Sequence, residues 1–273
     1  MRKKPYRGKG KSNRKDNTFS ILLVNMRGLK SKEMSLEKIL RKMKPSAVTI
    51  NETLLRGNMK VSILPYSWWS KNRKDKGGGG IATGVSQKYK DCSVGAGEGT
   101  ENDEYLITRI ETFNPALNII NCYGEQRITR KEEVEEKWRR LVADMERIRA
   151  RKEFCVLQGD LNKLVGGGSL GIEGNNPEVS LGGQLLRDLL ASGNWFLING
   201  LGQEIVSGGP FTRKDPASGG LSCLDLFVAS RELLPYVTKL HIDSERNMAV
   251  ARAVNVRGNT RWCILTTIPA SSP

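Results

Sequence analysis

The chain has 273 residues and carries 44 Lys and Arg against 29 Asp and Glu, for a formal net charge of +15. That length suits one large domain or two small ones, with enough chain to bury a proper core. No apolar stretch approaches the ~18 residues of a membrane span, and the charged start does not read as a signal peptide.

Eight of the basic residues fall in the first fifteen positions, with no acid among them, so the remaining chain is only about +7. The excess favours a polyanionic partner such as nucleic acid, through phosphate attraction and counterion release. A merely solubilising surface has the same composition. Five cysteines form no C-x-x-C pair. Cys122, Cys155, Cys223 and Cys263 lie in or beside apolar strand-like runs and read as small core residues in a reducing, intracellular setting.

In chain order, residues 1–17 are basic and interspersed with Gly, Ser and Asn, so they read as a disordered tail, a candidate nuclear-import or nucleic-acid arm. Phe19–Val24 is a buried strand ending at Asn25. A helix is expected next with Ser35 as N-cap, because Leu36, Ile39, Leu40 and Met43 make one apolar face, and Pro45 ends it. Ala47–Ile50 is a second strand running into Asn51 and Glu52. Tyr66–Trp69 is an aromatic cluster followed by Lys71, Arg73, Lys74 and Lys76. Aromatics beside cations suit base stacking and phosphate contact, which makes Trp69, Arg73 and Lys74 candidate substrate-binding residues; edge packing beside a solvated loop fits equally well.

Gly77–Gly80 reads as a flexible loop without the Lys-Ser/Thr ending of a nucleotide P-loop. Ile81–Val85 is a strand, Cys92–Asn102 a loop, and Glu104–Thr112 and Leu117–Cys122 are strands, the latter delivering Tyr123. Lys131–Ala150 is the longest helix, with Val134, Trp138, Leu141, Val142, Met145 and Ile148 as its apolar stripe. Phe154–Leu157 is a buried strand followed by Gln158-Gly159-Asp160-Leu161-Asn162. Taken alone, that stretch reads as a turn. If Leu161 points inward, Asp160 and Asn162 share the opposite side at a strand end, where α/β folds place chemistry.

Ser180 caps a leucine-rich helix that Gly193 stops, and Trp195–Ile198 is a strand. Gly208–Gly220 reads as loop, and Ser222–Ala229 as a strand carrying Asp225 within it, an acid that needs a partner there. Lys239–Asp243, Ala249–Val254 and Trp262–Ile268 complete the strands. Strands outnumber the interspersed helices, which implies stacked sheets flanked by helices.

Polar residues thus recur at the ends of buried strands: Asn25, Glu52, Tyr123, Asp160 and Asn162, with Asp225 inside one. They supply what phosphodiester hydrolysis needs. Glu52 can hold Mg²⁺ or Mn²⁺, since Mg²⁺ takes one or two carboxylates plus waters and phosphate oxygens. Asp160 can activate water, and Asn25, Asn162 and Tyr123 can orient the phosphate.

The strings LLVNMRGL, INET, INCYGE, LQGDLN and SCLDLF, in this order and spacing, resemble the endonuclease/exonuclease/phosphatase superfamily, and most nearly the apurinic-like endonuclease domain of non-LTR (LINE-type) retrotransposons. The resemblance covers about residues 19–268. It implies a four-layered α-β-β-α sandwich with two mainly antiparallel sheets, set in one domain at 18–268 with tails on either side. It also implies DNA as substrate, a monomer, and a nuclear setting. By the same resemblance Glu52 is the metal ligand aided by Asn25, Asp160 and Asn162 lie at the water and scissile phosphate, Tyr123 contacts the phosphate, and Asp225 orients a catalytic histidine.

The chain departs from the family at that histidine. The family carries an Asp-His pair just before the final strand, whereas here Arg257-Gly258-Asn259-Thr260-Arg261 precedes Trp262, and the chain's single histidine is His241. Arg261 offers a positive charge there with different geometry. The expectation is therefore a DNA-nicking hydrolase with impaired activity, with a non-cutting nucleic-acid-binding module and a small-molecule phosphatase as the competing readings.

Overall fold

A computed structural model describes residues 19–73, 79–89, 91–95, 104–124, 130–162, 179–209, 211–214, 221–242 and 262–267. The basic segment 1–17, Lys74, the strand expected over 249–254 and the segment 257–261 lie outside the described residues. In the first half the elements are β1 (Phe19–Asn25), α1 (Glu33–Met43), β2 (Ala47–Asn51), β3 (Tyr66–Lys71), β4 (Ile81–Ser86), β5 (Cys92–Gly95), β6 (Tyr105–Ile110), β7 (Leu117–Cys122) and α2 (Lys131–Ala150). In the second half they are β8 (Phe154–Asp160), α3 (Leu181–Ala191), β9 (Trp195–Leu197), β10 (Val206–Gly208), β11 (Arg213–Lys214), β12 (Leu221–Ser222), β13 (Asp225–Ser230), β14 (Val237–Ile242) and β15 (Trp262–Thr267).

Two large sheets form, in the orders β10-β14-β15-β1-β2-β4-β3 and β5-β6-β7-β8-β13-β9. The first sheet is mixed rather than mainly antiparallel: β10, β14, β15, β1 and β2 are successive parallel neighbours, and β4 alone reverses, antiparallel to both β2 and the edge strand β3. In the second sheet only the β7–β8 pair is parallel.

Side-chain alternation separates the layers. Phe154 and Val156 of β8, Phe227 and Ala229 of β13, and Leu117 and Ile119 of β7 join the core facing the first sheet. Their neighbours Cys155, Leu157, Leu226, Val228 and Ile120 join a second core with Leu141, Met145 and Ile148 of α2 and Leu186 and Leu189 of α3. Leu36 and Leu40 of α1 cover the other side of the first sheet. The result is the expected four layers of helix, sheet, sheet and helices.

Most elements match the reading from periodicity, and the departures have local causes. Ser35 does not cap α1. A 3-10 turn at Lys30–Lys32 leads straight into the helix, so Lys32 takes the cap position and Ser35 lies inside the first turn. Gln158, Gly159 and Asp160 are not a turn; they extend β8, held between β7 and β13. Short strands β5 and β11 occupy stretches read as loop and β10 falls almost wholly on residues with no reading, because each is held by pairing with a single other strand rather than by any period of its own. Asp225 starts β13 instead of sitting within a strand, since Ser222 belongs to the separate hairpin β11–β12.

Two glycines hold the sheet close at its C-terminal end. A side chain at Gly124 would collide with the Leu161 carbonyl, and one at Gly159, where φ is +146°, with the Cys122 carbonyl. Gly159→Ala should cost about 2 kcal/mol or more in urea unfolding, because backbone on the neighbouring strand cannot move aside as a flexible side chain can. A loss under about 0.5 kcal/mol would show that the sheet end is looser than described.

Candidate active site

β1 and β2 are parallel neighbours that end together, with Asn25 opposite Asn51, so Asn25 and the following Glu52 emerge at the same sheet end. β8 emerges there from the second sheet and finishes at Asp160. β13 runs antiparallel to β8 and begins where β8 ends, which sets Asp225 opposite Asp160. The Asn25 side-chain amide joins the two sheets. Its Nδ2 donates to Glu52 Oε1 at 2.9 Å and to Asp160 Oδ2 at 2.8 Å. Two acceptors on one amide nitrogen require both carboxylates to present lone pairs toward the same point.

The amides of Asn51, Asn121 and Asn162 fix this arrangement. Asn51 Oδ1 accepts from the Asp160 backbone N–H at 2.9 Å, while Asn51 Nδ2 donates to Asn121 Oδ1 at 3.0 Å and to the Cys122 carbonyl at 3.2 Å. Asn162 donates to the Gly124 carbonyl at 3.1 Å, and its own backbone N–H donates to Asp160 Oδ1 at 3.2 Å. Tyr123 is buried directly before Gly124, with the Arg73 guanidinium 5.9 Å from its ring centre. The chain turns sharply here. Arg27, Glu52, Leu54 and Asn162 all have left-handed φ of 43° to 53°, a conformation costly for residues with side chains. Only two other non-glycine residues, Lys44 and Lys152, share that region among the described residues, so the strain concentrates at this sheet end.

Asp225 is the electrostatic outlier. Burial raises its carboxyl well above the ordinary value, the negative charges of Asp160 and Glu52 raise it further, and the Thr212 hydroxyl and the Arg27 charge pull the other way. The Thr212 hydroxyl oxygen also accepts from the Leu224 and Asp225 backbone N–H groups at 2.9 and 3.0 Å. Asp225 Oδ1 is buried with no hydrogen-bond partner among the described residues.

The structure therefore brings Asn25, Glu52, Asp160, Asn162, Tyr123 and Asp225 to one sheet end. Arg73 stands at its edge with its guanidinium paired to Glu104, which also accepts from the Gly80 N–H at 2.7 Å. Trp69 is half-buried on β3 against the first core, and Trp68 donates from Nε1 to the Ile63 carbonyl at 2.8 Å, so the aromatic cluster packs largely as sheet edge. His241 lies on β14, two strands from β1, bonded through Nδ1 to Ser207 at 3.1 Å. Arg27, Asn51 and Thr212 escaped the sequence reading. Arg27 and Asn51 stand inside the quoted motifs and were open to detection, whereas nothing local marks Thr212.

Among the described residues no group of three or more His, Cys, Asp or Glu is placed to hold a metal by itself. The donors present are nevertheless hard oxygens in the number Mg²⁺ or Mn²⁺ accepts alongside water and phosphate.

The sequence matches no family model and no curated protein. The fold is similar to several solved structures. The 3′ phosphatase NExo from Neisseria, bound to a product DNA hairpin, aligns with a TM-score of 0.67 at 15% identity over 90% of this chain and 96% of that one. The AP endonuclease LMAP from Leishmania major aligns with a TM-score of 0.62 at 16% identity over 82% of each chain. The endonuclease domain of TRAS1, a telomere-specific non-LTR retrotransposon, aligns with a TM-score of 0.58 at 15% identity over 88% of this chain and 99% of that one. The chain thus has the endonuclease/exonuclease/phosphatase fold, shared with nucleases that process DNA.

Because the Asp225 carboxyl is raised on folding, the folded chain keeps its proton to higher pH than the unfolded chain does. That contribution is full below the ordinary carboxylate range and is lost as pH rises through the raised value. Measured by urea unfolding without divalent ions, Asp225→Asn should gain stability relative to the parent as pH rises from about 4 toward 7. A difference that stays constant with pH would contradict the buried state of this carboxyl.

Proposed function

We propose that the chain is a divalent-metal-dependent phosphodiester hydrolase domain that nicks DNA, of the kind non-LTR retrotransposons use, with activity reduced by the missing Asp-His pair. The observation that carries this reading is the convergence of Glu52 and Asp160 on the Asn25 amide where two sheets meet. Glu52, with Asn25 beside it, would hold Mg²⁺ or Mn²⁺, and the unpartnered Asp225 Oδ1 fits a demand for oxygen donors. Such an ion, when bound, neutralises charge on the phosphate.

The remaining chemistry belongs to the chain. Asp160 takes a proton from the attacking water. Its carboxylate is a pure acceptor toward Asn25 and is fixed by its backbone bond to Asn51, which suits a general base. Asn162 commits one amide hydrogen to Gly124 and turns the other to a phosphate oxygen, and the Tyr123 phenol adds a second donor. The basic segment 1–17 supports a nuclear setting and long-range attraction to DNA, with Lys74 adding charge beside Arg73 in the sequence, whereas Trp69 packs at the sheet edge and Arg73 is held by Glu104.

The weakness lies on the Asp225 side. The family pairs this acid with a histidine, and residues 257–261 contain none. Losing a group that stabilises transition-state charge costs about 10²–10³ in rate. The same observation favours a second reading, a module that grips nucleic acid without cutting.

Plasmid nicking with Mg²⁺ separates the two. Slow nicking that falls at least ~10²-fold in both Glu52→Ala and Asp160→Ala supports the hydrolase. Salt-dependent DNA binding with no nicking, unchanged by either substitution, supports the module. Thr260→Asp together with Arg261→His, which restores the pair before Trp262, should raise nicking at least ~10-fold.

A further inference from the structure

We propose that Arg27 is a phosphate-contacting residue of this site, supplying a fixed positive charge to the nucleic-acid backbone at the carboxylate cluster. The inference rests on the phosphodiester reading above and adds a residue to it.

The placement follows from the backbone. After β1 the chain runs alongside residues 51–54. The Met26, Gly28 and Leu29 N–H groups donate to the carbonyls of Asn51, Glu52 and Thr53 at 3.0, 2.8 and 2.8 Å. Arg27 is the residue of that run whose side chain is exposed, and its own N–H donates to Asn25 Oδ1 at 3.3 Å. The amide that bridges Glu52 and Asp160 therefore also anchors the Arg27 backbone. At φ of +43° Arg27 adopts a conformation unfavourable for an L residue, so the site holds it there against a local cost.

The guanidinium makes no hydrogen bond or ion pair with any described residue. It is near enough to Asp225 for its charge to be felt there. The neighbouring cations are committed elsewhere: Lys32 Nζ donates to the Met26 carbonyl at 2.6 Å, and Arg73 is paired with Glu104. Glu52 and Asp160 already accept from the Asn25 amide, and the forked donor of Arg27 is left to a ligand. The planar fork matches two phosphate oxygens, which an ammonium group cannot do.

The test uses the full chain and a short DNA duplex in EDTA, so that no metal-dependent cleavage enters. Arg27→Asn removes the charge while suiting the left-handed backbone, since Asn tolerates that region better than Ala or Gln. Arg27→Lys keeps the charge and loses the fork. The slope of log binding constant against log salt should fall by about 1 in Arg27→Asn and stay within ~0.3 of the parent in Arg27→Lys. Single-turnover nicking with Mg²⁺ should then fall at least ~10-fold in both variants.

A salt slope in Arg27→Asn equal to that of the parent overturns the proposal, whether or not the parent nicks. A reduced slope in a parent that binds but never nicks sustains Arg27 as a phosphate contact and removes the hydrolase reading instead. Equal thermal unfolding of parent and Arg27→Asn ties a reduced slope to lost charge. A large drop in melting temperature with no change in the Arg27→Lys slope or nicking would make the residue a backbone support and overturn its role as a contact.

Discussion

A single side-chain amide, that of Asn25, reaches from the first sheet to acids of both, and the site depends on it. Two carboxylates roughly 5 Å apart repel by on the order of 3 kcal/mol at the effective dielectric of a protein surface. Asn25 Nδ2 sits between Glu52 and Asp160 with a hydrogen for each. Charge-assisted bonds of this type contribute about 1.5–3 kcal/mol apiece, enough to offset that repulsion. The amide thus holds the two acids together while carrying no charge of its own. Asp225, across from Asp160, has no such donor on Oδ1, and its proton affinity is driven far up.

Behind the acids the space between the sheets is unusually polar for a core. Asn121 donates to the Ile50 and Ala82 carbonyls at 3.3 and 2.9 Å, and Gln158 Nε2 to Thr49 Oγ1 at 2.9 Å. Each buried amide would cost about 1–3 kcal/mol if left unpaired. Paired across the gap, these groups tie β2, β4, β7 and β8 into one register. An apolar layer would let the two sheets slide. Directional bonds do not, and a site assembled from both sheets needs that rigidity. The left-handed residues at 27, 52, 54 and 162 fit the same logic, because such local strain persists only where the surroundings over-determine it.

Positive charge is distributed around this centre in an unexpected way. Arg73, the arginine beside the aromatic run, is anchored by Glu104 and lies over the Tyr123 ring, where it shapes the site's edge. Arg27, which carries no aromatic neighbour in sequence, is the exposed and unpaired one. The contrast has a simple origin: Glu104 is distant from Arg73 in the chain but adjacent in space, and no composition rule anticipates that pairing.

Local periodicity and end signals were sufficient for much of the molecule. α2 begins and ends where its stripe predicts, Ser180 caps α3 by accepting from the Gly183 N–H at 3.1 Å, and β1, β2, β6 and β7 lie where apolar runs place them. The strand-end residues Asn25, Glu52, Tyr123, Asp160 and Asn162 were legible for the same reason, since an apolar run that stops at a polar residue marks the end of a buried strand. What the chain order does not carry is which strands lie side by side and in which direction. The reversal of β13 against β8 alone sets Asp225 opposite Asp160, and pairing with the distant β14 alone makes a strand of β10. Periodicity records which face of an element is dry. Neighbours and direction come from long-range pairing, and the meeting of the acids of two sheets on one amide is a property of that pairing.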